Sequence, residues 1–381
     1  MLDRLINIFT SLKLTVVLLA LGLILVFWGT LAQVTLGLYQ AQNDFFRSFL
    51  VFWSPVGSDW RIPVFPGGYL IGGLLLINLV AAHTRYYRSS KKKIGIVFIH
   101  FGVVLLLVGQ LLTDFLSVES TLHLREGETK NYSEASRSFE LAVVDVTDKD
   151  LEKQVAISQR LLGKQGAIKH PELPFSLKAT TFYANSELKQ REEAGFLPVK
   201  GVKGIGEGVW MKELPHETMM DRRDVPTAIV EISGPQGAAQ SYMVSAHIAR
   251  AQSFQYEDRT YEIALRPVRY YKPFSMHLLE FTHDRYPGTQ IPKNFSSRVI
   301  LDRPETGEKR EVLIYMNNPL RYWGETYYQS SFDTDDQGSY LQVVRNPSWL
   351  TPYLSCVLVS IGLTVQFLMH LVPFLKRRLA T

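Results

Sequence analysis

Ile94 to Leu112 reads IGIVFIHFGVVLLLVGQLL, an apolar run interrupted by one ionisable side chain, His100. At about 1.5 Å per helical residue the run matches the roughly 30 Å of a bilayer's hydrocarbon layer. A histidine about two turns from the lysine-rich end is costly there unless a partner, a wet cavity or a cofactor accounts for it. His100 is therefore either a neutral side chain bonded to a neighbouring helix or the mark of a functional site.

Three further segments have the same character: LTVVLLALGLILVFWGTLA at 14–32, the stretch beginning FPGGYLIGGLLLINLVAA at 65–83, and LTPYLSCVLVSIGLTVQFLMHL at 350–371. The second contains glycine pairs and Asn78, which weaken it as a span. The first follows Arg4 and Lys13 as a signal peptide would, but its length, Trp28 at its far end and the lack of a small-residue cleavage site favour a retained anchor. The expected architecture is a polytopic α-helical membrane protein with four transmembrane helices, the third at 94–112.

Orientation follows from the basic flanks. Arg85, Arg88, Lys91, Lys92 and Lys93 crowd the 84–93 hairpin, and Lys376, Arg377 and Arg378 the 372–381 tail, whereas 33–64 holds only Arg47 and Arg61. Both termini, 1–13 and 372–381, and the basic hairpin are thus expected on the cytoplasmic side. The net charge of +5 arises largely from these flanks, so it speaks for topology and anionic lipid, not nucleic acid. Within the 33–64 loop, FFRSFLVFW (Phe45 to Trp53) reads as a short interfacial helix or as packing against the outer ends of the spans.

Between the third and fourth spans, 113–349 alternates with period two in SFELAVVDV, TAIVEISG, YEIALRPVRYY, SMHLLEFTH, SSRVILDR and EVLIYMNN, punctuated by Gly, Pro, Asp and Asn. That pattern predicts a large β-rich extracytoplasmic domain, sandwich-like or an open barrel. The glycine-rich KGVKGIGEGVW at 200–210 lacks both the Walker lysine-serine pair and the dinucleotide fingerprint, and reads as a loop. Cys356, the only cysteine, lies in the fourth span, which excludes a disulfide and any dithiol chemistry carried by this chain alone. No HExxH, CxxCH or metal-spaced carboxylate cluster occurs; His277 and His283 suggest a metal site only weakly, through even spacing on one strand.

Two blocks carry more: FSMHLLEFTHDRYPGTQIPKNFSSRVIL, Phe274 to Leu301, and MNNPLRYWGETYYQSSF, Met316 to Phe332. With the opening SLKLTVVLLALGLILVFWGTLAQ, the four spans and the position of the large domain, they resemble the ResB (CcsB) family, the membrane component of System II cytochrome c biogenesis. The resemblance implies a non-catalytic or co-catalytic subunit of a cytochrome c haem lyase (synthase) complex in the bacterial cytoplasmic membrane. It would help bind haem b in the membrane and present it for attachment to the CxxCH of an apocytochrome c. It implies a polytopic ResC/CcsA-type partner, whose tryptophan-rich motif is absent here, and an extracytoplasmic thiol reductant as a further partner.

By the same resemblance His100 is an axial ligand to haem iron, the second axial histidine coming from the partner; neutral imidazole suits that role. His83 and His370, near the cytoplasmic ends of their spans, read mainly as interface residues and are the alternative ligands within the chain. Asn317, Asn318, Arg321, Tyr322, Trp323, Gly324, Tyr328 and Gln329 offer the side-chain mixture of a protein interface or a propionate contact, or else fill a strand face around a turn at Gly324. Tyr286, Pro287, Gly288 and Thr289 most simply form a β-turn. The alternative function is a non-enzymatic envelope scaffold, or a divergent haem-binding subunit of a respiratory electron-transfer assembly.

Overall fold

The computed structural model describes residues 2–55, 60–86, 93–148, 151–234, 237–248, 250–289 and 291–379. Arg88, Lys91 and Lys92 of the basic hairpin lie outside the described residues, as does the side chain of Arg4. The chain divides into two units: Met1–Val118 with Thr218–Met220 and Arg345–Thr381, and Glu119–Glu217 with Asp221–Val344.

The first unit is helical. Its helices are α1 (Leu2–Phe9), α2 (Leu12–Leu36), the single turn α3 (Leu38–Ala41), α4 (Gly68–Tyr86) and α5 (Ile94–Leu116); after the one-turn α6 (Gln159–Leu162) of the second unit, α7 (Thr351–Leu379) completes it. Three of these, α2, α5 and α7, are long and apolar enough to cross a membrane. By that measure three of the four expected spans stand among the described residues, and α4 falls short because its glycine pairs, Asn78 and the His83–Thr84–Arg85 end dilute its apolar content. The β-rich unit accordingly falls between the second and third of these helices, α5 and α7.

Close packing of α5 on α7 comes from a glycine every seventh residue. Gly95, Gly102 and Gly109 are all buried. A methyl group at Gly95 would lie 2.8 Å from the Gly362 carbonyl oxygen, and one at Gly102 would lie 2.7 Å from Val359 Cγ2. Small residues let two backbones approach where lipid removes the hydrophobic drive to associate. Asn78 is likewise explained: it is buried, accepts from Thr15 Oγ1 at 2.6 Å and donates to the Phe9 and Ser11 carbonyls at 2.8 and 3.2 Å.

The interfacial helix expected over Phe45–Trp53 does not form. A π-helical turn, Gln42–Phe46, takes in only its first two residues, and Leu50–Trp53 is instead a strand paired antiparallel with Ile62–Pro66. The β-branched and aromatic residues of FLVFW prefer the pleated backbone once a partner strand is supplied. Arg47 pairs with Asp114 at 2.9 Å, and Asp114 also accepts from the Tyr69 hydroxyl, tying this loop to α4 and α5.

In the second unit a curled sheet runs in the order Glu308–Tyr315, Pro292–Arg303, Arg259–Arg285, Thr129–Asp145, Val118–Arg125, Gly338–Arg345, Glu325–Phe332, Leu320–Tyr322. A bridge between Tyr315 and Asn318 brings its ends together, so the sheet nearly closes into a barrel around Leu124, Met276, Leu278, Val299, Leu301 and Leu341. The long strands Arg259–Arg285 and Thr129–Asp145 extend beyond the barrel. There Leu141, Val143, Ile263 and Leu265 pack with Leu177, Ala179, Val230 and Val244 of a separate four-stranded sheet. The sandwich and the open barrel expected as alternatives are therefore both present, one at each end of the same long strands.

Candidate functional site

His83 and His100 come together although seventeen positions separate them in sequence. Helices α4 and α5 run antiparallel, as the paired levels of Tyr69 with Phe115 and of His83 with His100 show. A helical hairpin places residues equidistant from its bend at the same height. The two imidazole rings lie 5.6 Å apart at 88° to one another, and the buried Nδ1 of His100 has no hydrogen-bond partner.

Both rings line a cleft of about 700 Å³, within the range of small-molecule and cofactor sites. Its apolar wall is Leu12, Leu79, Ala82, Ile96 and Val97, and its polar groups, besides the histidines, are Asn7, Thr10, Ser11, Thr15 and Lys93. Among the described residues no carboxylate lines it, and no group of three or more His, Cys, Asp or Glu side chains is placed to hold a metal ion. A haem needs no such cluster, only one or two axial donors in apolar surroundings. His100, with an orphaned ring nitrogen, and His83 beside it fit that requirement. His370 is apart: it is exposed on α7, its Nε2 lies 2.8 Å from Gln366 Nε2, and it does not line the cleft.

The motif blocks form turns and a buried polar triad in the barrel. Thr289 N–H donates to the Tyr286 carbonyl at 3.0 Å and Gly288 takes φ +75°, so Tyr286–Thr289 is the expected β-turn. Trp323 and Gly324, at φ +50° and +76°, make the two-residue hairpin between Leu320–Tyr322 and Glu325–Phe332. Trp323 is exposed at its tip, and Asn317 at φ +62° turns the chain just before it. Gln329 and Ser297 Oγ are 2.6 Å apart. Beneath the hairpin Glu325, buried, accepts from Lys272 and, at 2.6 Å, from the Tyr327 hydroxyl. Burial and then this hydrogen bond drive the Tyr327 pKa far upward, so the phenol stays protonated. The pairing of Lys272 with Glu325 was not legible beforehand, since Lys272 lies outside both blocks and 53 residues from Glu325.

His277 and His283 do not share a face. A register shift between Leu278 and Glu280 moves the in-facing set from Phe274, Met276 and Leu278 to Phe281 and His283, because one extra residue inverts the alternation. His277 meets Thr129 Oγ1 at 2.8 Å, whereas the His283 side chain is only 3% exposed and its Nδ1 lies 2.9 Å from Asp336. The weakly suggested metal pair is therefore set aside.

Fold and site together define a multi-pass membrane protein with a β-rich domain and a paired-histidine cleft among its helices. Residues 231–340 match the ResB-like family. The chain is similar to Protein NrfI of Wolinella succinogenes, 25% identical over 293 residues, which is 76% of this chain and 29% of that protein. It thus spans less than a third of that relative's length. With the motif blocks quoted above, these matches point to the membrane proteins of cytochrome c biogenesis as a class.

Proposed function

We propose that the chain is a ResB-type subunit of a haem delivery and cytochrome c synthase complex in the bacterial cytoplasmic membrane. His100 is the haem ligand, and the observation that carries this reading is its buried, unpartnered Nδ1 in an apolar cleft shared with His83. When bound, haem b supplies the iron and the vinyl groups that later receive the apocytochrome's thiols. The protein's part is to ligate, to exclude water and to orient. His83, beside it, would assist, and the partner's histidine would replace it when a ResC/CcsA-type subunit is engaged.

We further propose that α4 crosses the membrane beside α2. Support comes from their antiparallel contacts, Thr15 with Asn78 and, in one buried cluster, Leu25 with Ile71, and from internal satisfaction of Asn78. Four spans would put both termini and the basic hairpin inside and the β-rich domain outside, where the exposed Trp323 hairpin offers apocytochrome c or the partner a docking point. Thioether formation belongs to the partner subunit, with an extracytoplasmic reductant keeping the CxxCH thiols free.

The test is co-purification of the chain with its ResC/CcsA-type partner. His100→Ala should lower haem occupancy and holocytochrome c together; unchanged occupancy would remove the ligand assignment.

A further inference from the structure

The histidine cleft has a polarity of its own. Lys93 caps α5, and Ile96, Val97 and His100 follow it along the cleft. Positions i, i+3, i+4 and i+7 share one helical face. That face therefore carries a lysine and an imidazole whose backbone positions lie about 10 Å apart at the helical rise, comparable to the reach from a porphyrin's centre to its carboxylates.

Lys93 does not stand alone at its end. Helix α2 also begins at the cleft, its N-cap Ser11 and first residue Leu12 both lining it, and neither α2 nor α5 has an acidic residue in its first turn. Two helix N-termini and a lysine give this end a positive potential, which favours carboxylates. Asn7 and Thr10 add an amide and a hydroxyl, while Leu79, Ala82, Ile96 and Val97 make the wall toward the histidines apolar.

We infer that Lys93 is a specificity-determining residue of the cleft: it selects a porphyrin with free carboxylates and sets the edge that faces the α2 and α5 N-termini, leaving the iron level with His100. This rests on the haem-handling reading proposed above. A lysine that served only to orient the chain in the membrane would not discriminate between ligands differing in carboxylate charge alone.

The test uses the full chain in detergent, titrated with haem and with haem dimethyl ester and followed by the Soret band. Wild type, Lys93→Gln, Lys93→Arg and His100→Ala are compared. Wild type should bind haem more tightly than the ester, and Lys93→Gln should lose about tenfold in haem affinity, the scale of one charge-assisted contact, while ester binding stays unchanged. Lys93→Arg, which keeps the charge, should retain the preference and shows that the site remains folded. A His100-dependent Soret band with equal affinity for haem and ester in wild type, or with no loss in Lys93→Gln, overturns the role of Lys93 and leaves the haem reading standing. No His100-dependent band in wild type overturns both.

Discussion

The imidazoles of His83 and His100 meet at 5.6 Å and 88° across the α4–α5 hairpin. Two groups of the one side-chain type best suited to ligate iron thus share an apolar cleft. The packing of the rest of the chain can be probed independently of this cleft, at several positions.

The glycine stripe of α5 is the first. Gly102→Leu would drive a side chain into Val359 and the Ser355 carbonyl, and overpacking of a close contact costs on the order of 1–3 kcal/mol. Thermal aggregation followed by size-exclusion chromatography should show a clear loss of stability. Leucine at Gly73, where an added methyl group would meet nothing within 4 Å, serves as the tolerant control.

Removal of one partner of the Lys272–Glu325 pair should be severe. Both side chains are at most 7% exposed, and breaking a buried pair costs about 3–5 kcal/mol because a charge is left uncompensated. Lys272→Met should therefore unfold the barrel at a markedly lower temperature, and Lys272→Met with Glu325→Gln should recover part of the loss. Equal melting of the single and double variants would contradict the coupling.

Acid sensitivity should arise at two carboxylates of the β-rich unit. The His283 contact and Arg285 hold Asp336 below its ordinary value, and the Thr147 hydroxyl, its backbone N–H and Arg259 do the same for Asp145. A depressed folded-state pKa gives stability that is complete above the unfolded value, near 3.8 in both cases, and is lost as pH falls through the folded one. Melting temperature should drop on acidification below about pH 4, and Asp145→Asn with Asp336→Asn should flatten that dependence.

Trp323 separates docking from architecture. It is exposed at a positive-φ turn position that glycine occupies without strain. Trp323→Gly should lower the melting temperature only slightly, relief of the turn offsetting the lost edge contact with Phe274, while lowering holocytochrome c yield in cells; normal yield would remove the hairpin from the docking surface.

Much of this was legible because hydrophobic runs and period-two alternation report directly on burial. Where reading failed, the cause was long-range. Leu50–Trp53 became a strand because Ile62–Pro66 pairs with it, and His277 and His283 parted at a bulge visible only in the register. Asn78 weakened α4 on paper and yet is satisfied by Thr15 and two carbonyls. His83 and His370 were both open as companions of His100 in the sequence; the antiparallel packing of α4 on α5 selects His83, because the two lie at the same level. Gly95, Gly102 and Gly109 were likewise present as a seven-residue repeat before any partner helix was known.

The most direct test is the reduced-minus-oxidised visible spectrum, with pyridine haemochrome quantitation, of the purified chain with and without its ResC/CcsA-type partner, as wild type, His83→Ala and His100→Ala. Haem should be present in the wild-type chain, with a weakened and shifted spectrum for His83→Ala that the partner restores, and near-complete loss for His100→Ala in either setting. Full haem occupancy of His100→Ala, with an unchanged spectrum, would contradict it.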